Sequence, residues 1–398
     1  MPHATPKVPG RLFGLFCLAS YLLSLSYGAT FLLSLLIGSR GGNEHDAGSV
    51  ISAAMLSTFA AVLVSGHLSD WLGAARSIAL FGLLLAAASL GFALTPGFGS
   101  LLLFFGLLLG LGWGVFYTLG PIIVASLVSP AQRAKYFALL SGSMMTGIGS
   151  GPLLGRAATA LDWPVTSAFV LAAAASLIGS ALFWRLGARL KGTQATSAAR
   201  ISWRATTQVL GSPAVLPIIM VGLGGAVFGG LSSFQTSYAA GRSLDYSLFF
   251  IGFMSAAISS RLLIAGFVVK RDPLRASCLL SGLMLGSVAL FAFGVHSGAG
   301  YLLAALMLGV GYGLTYSVIN GLAANEAPPG TMPQALLLFS LAYFIGVFGF
   351  PLLAGKIIVE RGMPALLLTV LAVAASNWLI TVARLLWRRM RIRTAQAA

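Results

Sequence analysis

Four aromatic rings and one arginine stand out as residues that could do chemistry. Trp113 and Tyr117 lie four residues apart, and adding 199 to each position gives Tyr312 and Tyr316, again four apart. Residues so spaced share one face of a helix, and rings with a polar edge suit the wall of a wet cavity. Arg261 lies inside an apolar run, about 13 residues or roughly 20 Å from its start at a rise of 1.5 Å per residue. A guanidinium at that depth costs at least roughly 2.5 kcal/mol to bury, so it has to meet water or an acceptor. That acceptor is a bound solute, a set of helix-end carbonyls or Asp70. Neighbouring apolar runs add Tyr27, Gln235, Asn320 and Tyr343 as polar candidates. Lys356 and Arg156, which follow Pro351 and Pro152, read as anchors at the ends of their runs and as weaker candidates for contact.

What is missing narrows the chemistry further. The eight acids are Glu44, Asp46, Asp70, Asp162, Asp245, Asp272, Glu326 and Glu360, and each falls at or near the end of an apolar run. No carboxylate is expected near a bilayer midplane, and His3, His45, His67 and His296 are peripheral too, so the core lacks an obvious proton carrier. Cys17 and Cys278 lie in separate apolar runs, which leaves no disulfide framework and no metal-ligand spacing. No glycine-rich Lys-Ser or Lys-Thr loop for ATP is present. Neither a metal nor another cofactor is expected, and the chain is not expected to be an enzyme.

The elements that hold these residues are membrane helices. Hydrophobic residues make up 58% and charged residues 8% of the chain, and the mean hydropathy is +0.94. A soluble domain of that composition would lack the polar surface to cover itself. Apolar runs occur near 11–38, 47–66, 77–95, 100–128, 136–158 and 165–187, then near 213–240, 248–269, 276–295, 300–323, 333–357 and 364–387. Each is long enough to cross a hydrocarbon core of roughly 30 Å as a helix, and nothing alternates with the period of a barrel strand. The first run is read as a span, since it is too long for a signal peptide and lacks a small-residue cleavage site. The sequence therefore predicts an all-α, polytopic membrane protein with twelve spans.

The twelve spans form two sixes. Gly110, Gly112, Gly114, Gly147 and Pro152 map onto Gly309, Gly311, Gly313, Gly346 and Pro351 when 199 is added, and Asp46 maps onto Asp245. Repetition at half the length of the chain predicts two pseudo-symmetric six-helix bundles, 1–187 and 209–398, joined by a polar linker at 188–208. The formal charge of +16 serves topology and not nucleic acid, because the lysines and arginines cluster in short loops. With the N-terminus inside, only Arg40, Arg156, Arg242, Lys356 and Arg361 fall outside, Arg261 is within a span and the other eighteen are cytoplasmic. Both termini and the linker are then cytoplasmic.

The loop after the second run reads Gly66-His67-Leu68-Ser69-Asp70-Trp71-Leu72-Gly73-Ala74-Ala75-Arg76. With twelve spans in two halves, it resembles the cytoplasmic signature of the major facilitator superfamily, although Trp71 stands where a basic residue is usual. The resemblance implies a gate built on Gly66, Asp70, Gly73 and Arg76, with Asp70 as its latch. In the second half the matching loop, from Arg261 through Gly266 to Lys270, Arg271 and Arg275, has no aspartate at the position that matches Asp70. Gly147, Gly151, Pro152 and Gly155 are similar to the glycine-proline motif of the family's efflux members, with Arg156 where a final glycine is usual. The arginine that proton-driven exporters of the family carry in span four is replaced by Gly106.

The resemblance further implies a secondary transporter that moves a small organic solute by alternating access, more as exporter than importer. The substrate-contact candidates are then Tyr27, Trp113, Tyr117, Gln235, Arg261, Tyr312, Tyr316, Asn320, Tyr343 and Lys356. An organic-anion exchanger or uptake carrier with Arg261 and Lys356 as counter-charges is the alternative. The expected surroundings are a bacterial inner (plasma) membrane, with the lipid bilayer and a small-molecule substrate as partners, a coupling ion left open, no nucleic acid, and a monomeric chain.

Overall fold

The computed structural model describes residues 10–97, 99–128, 133–189, 202–263 and 272–397. Every described element is helical, as an unpaired backbone in lipid would leave each N–H and C=O without a partner. The chain runs through α1 (Gly10–Ala29), a 3-10 turn (Thr30–Leu32), α2 (Leu33–Gly38), α3 (Glu44–Leu72), α4 (Ala74–Leu94), α5 (Ser100–Leu127), α6 (Arg133–Ala160) and α7 (Thr166–Arg189). It continues with α8 (Trp203–Leu210), α9 (Val215–Ser232), α10 (Gln235–Ala240), α11 (Ser247–Leu263), α12 (Pro273–Phe293), α13 (Gly298–Asn325), α14 (Met332–Phe344), a π turn (Ile345–Gly349) and α15 (Phe350–Ala397).

Among the described residues ten helical stretches are long and apolar enough to cross a membrane. The difference from twelve has two sources. Met332–Met390 counts as one stretch of 59 residues, and Gly362 breaks it with φ 83° and ψ 170°. At 1.5 Å per residue such a stretch would be about three times the thickness of a hydrocarbon core. The other source is α11, whose 17 residues are apolar but short, and residues 264–271 after it lie outside the described residues. That interval holds Gly266, Lys270 and Arg271 of the second-half loop. Lys7, and Lys191 and Arg200 of the linker, also lie outside the described residues.

The chain divides into two compact units, Met1–Arg200 and Ile201–Ala398. In the first, α1 packs on α6 and α7, α3 on α5, and α4 on α5 and α7. In the second, α9 packs on α14, the π turn and α15, α11 on α13, and α12 on α13 and α15. The duplication extends to single contacts. A Cβ on Gly110 would strike the Ala54 carbonyl, and one on Gly309 would strike the Phe253 carbonyl, 199 residues on. Gly112 faces Phe81 and Leu85 as Gly311 faces Leu280 and Met284. Between α1 and α9 the register moves to 201: Gly28 lies on the Ile148 carbonyl, Gly229 on that of Val347.

Glycine permits this approach because lipid tails give helices no hydrophobic reason to associate, and close backbone packing takes its place. Serines add a second kind of joint. Ser26 of α1 meets Ser176 of α7 at 2.6 Å and accepts from Ser89 of α4 at 2.9 Å, with all three buried. The units also differ. Pro152 sits in unbroken α6, whereas the equivalent Pro351 follows the π turn, which holds Val347, the residue whose carbonyl a proline ring would crowd.

Candidate functional site

In the first unit Tyr27 of α1 stacks on Trp113 of α5, with centroids 4.6 Å apart and planes at 29°. The second unit repeats this as Phe228 on Tyr312 at 5.2 Å and 14°. Phe228 is Tyr27 moved by 201, so the second unit keeps the ring and loses its hydroxyl. Tyr27, Trp113 and Tyr312 are buried, while Tyr117 and Tyr316, one turn further along, are half-buried. Helical spacing brings each pair to one face, and the glycines flanking Trp113 and Tyr312 let their helices sit close against α3 and α4, and against α11 and α12.

Arg261 stands on α11 and donates from Nε to the Gly313 carbonyl at 3.3 Å. Its guanidinium carbon lies 5.9 Å from the centre of the Tyr316 ring. Tyr316 in turn meets Tyr343 edge-on at 5.4 Å. Three candidates from three helices, α11, α13 and α14, are thus brought together, and Asn320 follows one turn after Tyr316, half-buried. The Gly313 carbonyl is within reach because its residue has no side chain: a Cβ there would lie 3.3 Å from Ala257. In the first unit the position of Arg261 is held by Val62, which is buried. The cation belongs to one half only.

Other candidates fall elsewhere. Gln235, at the start of α10, accepts from the Tyr301 hydroxyl at 2.6 Å, both residues buried, while its Nε2 has no partner among the described residues. Lys356 is exposed and pairs with Glu360 at 3.8 Å, one turn on. It stands with that acid and outside the Arg261 group.

The gate residues sit at the close of α3. Gly73 ends the helix with φ 82°, Asp70 is exposed, Gly66 is buried, and Ser77 donates back to the Leu68 carbonyl at 3.0 Å. The Arg76 guanidinium lies 5.5 Å from the Trp184 ring, and its stem fits beside Gly187 of α7. Of the glycine-proline motif, Gly147 and Gly151 face the backbone of Tyr21 and Gly28, and Gly151, Pro152 and Gly155 are buried.

Sequence reasoning passed over Asn377 of α15. It is fully buried, donates from Nδ2 to the Met220 carbonyl at 3.1 Å, and leaves Oδ1 without a partner among the described residues. A Cβ on Gly224 would touch both this amide, at 3.6 Å, and the Tyr312 ring, at 3.8 Å. A lone amide in an otherwise apolar run was the available signal.

The fold and these groups define a duplicated, all-helical polytopic membrane protein with an aromatic stack in each half and a cation in the second. The family model of the Major Facilitator Superfamily matches residues 14–351, and the chain belongs to that superfamily of transporters. It is 32% identical over 156 residues to the peptide transporter YePEPT of Yersinia enterocolitica, which covers 37% of this chain and 30% of the relative. It is 28% identical over 132 residues to the inner membrane metabolite transport protein YdjE of Escherichia coli, covering 33% of this chain and 29% of the relative. Each match spans less than a third of the relative's length. Among solved structures, a peptide transporter POT aligns at TM-score 0.75 and 19% identity over 94% of both chains.

Proposed function

We propose that this protein is a secondary transporter of a bacterial inner membrane that exports a small organic solute by alternating access, with twelve spans in two six-helix halves and both termini cytoplasmic. Twelve spans follow if the stretch broken at Gly362 crosses twice and α11 is counted as a span. The observation that carries the substrate class is Arg261, which brings a guanidinium to Tyr316, itself set against Tyr343, where the other half has Val62. All eight acids lie at helix ends, in turns or, for Glu360, beside the Gly362 break. A path whose fixed charge is positive attracts anions and repels cations. The solute is therefore anionic, zwitterionic or neutral, and lipophilic cations are poor substrates. Tyr117, Tyr316, Tyr343 and Asn320 serve as its polar contacts, with Tyr27, Trp113 and Tyr312 behind them and Asp70 as the latch.

Export rests on the glycine-proline motif at 147–155. The second reading, exchange or uptake of organic anions, draws on Arg261 alone, since Lys356 is engaged by Glu360. Flux into proteoliposomes of sided orientation, with labelled sugars, amino acids, carboxylates and a cationic dye, with and without a pH gradient, separates the readings. Arg261→Lys keeps the charge but loses the planar fork that grips a carboxylate, so it weakens affinity for an anionic solute, and Arg261→Gln weakens it further, by about tenfold or more. Efficient movement of the dye by the wild-type protein, or unchanged affinity in both variants, would overturn the electropositive path.

A further inference from the structure

A cleft of about 380 Å³ opens in the second unit where α10 turns into α11 and α12 turns into α13. It is lined by Arg242, Leu244, Phe291, Ala292, Val295 and His296, with Phe293 exposed at its rim. No acid lines it. Asp245, the nearest acid in sequence, has its Oδ1 engaged by the Ser247 amide at 2.9 Å. The arginine is held in place from beneath: its guanidinium carbon lies 4.1 Å from the centre of the Tyr238 ring. Tyr238 is itself fixed, buried, stacked on Tyr301 at 5.7 Å and donating to the Phe291 carbonyl at 2.9 Å. A guanidinium held over a fixed ring still has N–H groups to offer two oxygens of an oxyanion.

The other half shows what such an arginine does when it is only structural. Arg40 precedes Gly41, which has φ 82°, as Arg242 precedes Ser243, which has φ 54°. Arg40 donates from Nη2 to the Ala93 carbonyl at 3.0 Å. Ala292 is Ala93 moved by 199, and it lines the cleft while Arg242 lies on Tyr238 instead. His296 joins the cleft lining where the first half has Gly97.

We propose that this cleft binds the phosphate oxyanion of an amphiphilic or small organic phosphate, gripped by the Arg242 edge and an imidazole N–H of His296, with Phe293 and Leu244 against its apolar part. On the twelve-span topology proposed above, each of the two loops closes an odd-numbered crossing, so both lie on one side of the membrane. At a loop end of the helices the phosphate comes from an acidic phospholipid headgroup or from a soluble phosphate ester.

The test uses the full chain in nanodiscs. Native mass spectrometry compares retention of phosphatidylglycerol with phosphatidylcholine, and calorimetry in detergent titrates glycerol phosphate. Preferential retention of phosphatidylglycerol assigns the lipid source and binding of glycerol phosphate assigns the soluble one. In either case Arg242→Gln lowers binding by about tenfold, Arg242→Lys and His296→Gln by less, and Arg40→Gln leaves it unchanged. Should Arg242→Gln not yield folded protein by size exclusion, Arg242→Lys and His296→Gln decide. Binding of neither probe by the wild type, or binding that all cleft variants keep in full, overturns the site.

Discussion

Two residues occupy a backbone conformation that suits glycine. Asp162 at φ 57° and Ser243 at φ 54° have positive φ at positions that match Gly362 and Gly41 of the opposite unit, where φ is 83° and 82°. A side chain in that region costs roughly 1–2 kcal/mol, less for Asp than for Ser. Ser243→Gly is expected to raise stability by about 1 kcal/mol and Asp162→Gly by less, since glycine's own entropy offsets part of the gain. Gly41→Ala moves the other way, and thermal unfolding in detergent reads all three. Asp272 gives a pH-dependent case. It caps α12 by accepting from the Leu274 amide at 3.1 Å and holds both Nη atoms of Arg388, one at 2.9 Å, with Arg275 at 3.5 Å. The hydrogen bond from Arg388, opposed by burial and aided by the Leu274 amide and by the charges of Arg388 and Arg275, holds its carboxyl below the usual carboxylate range. A depressed native pKa stabilises above the unfolded value of about 4 and is lost as pH falls through the native one. Asp272→Asn should therefore melt lower than wild type at pH 7, with the gap closing below about pH 4.

At the scale of helices, glycines divide into those that touch backbone and those that touch nothing. Gly110 and Gly309 abut carbonyls of α3 and α11, which cannot swing aside as a side chain could, whereas Gly142 and Gly321 have no heavy atom within 4 Å of an added Cβ. Gly110→Ala and Gly309→Ala are expected to cost about 1–3 kcal/mol by overpacking, while Gly142→Ala and Gly321→Ala are neutral or stabilising through helix propensity. Yield and melting temperature of the four variants check this, and equal behaviour of the two sets would remove the packing role. The spans and their repeat were legible because hydropathy and a fixed offset are properties of sequence alone. What Arg261 touches was not, because Gly313 and Tyr316 reach it across 52 and 55 positions of chain. The Lys356–Glu360 pair is legible as an i, i+4 contact from the spacing alone. Asn377 acquires meaning only when Gly224 brings Tyr312 beside it.

For the whole molecule the testable statement is topology. The basic interval between the units, with residues 190–201 outside the described ones, is followed by α8, which Ser202 caps and Gln334 of α14 clasps through the Ser202 amide and the Thr206 hydroxyl, both at 3.1 Å. A reporter fused at Thr196 and active only in the periplasm should stay silent, and activity there would invert the orientation. Gly110 on Ala54 and Gly309 on Phe253 describe one contact made twice within one polypeptide. Each half thus carries an isogenic reference for the other. Whatever a matched pair of substitutions costs in common is the price of helix packing, and whatever differs between the two isolates what Arg261 and its surroundings ask of the second half.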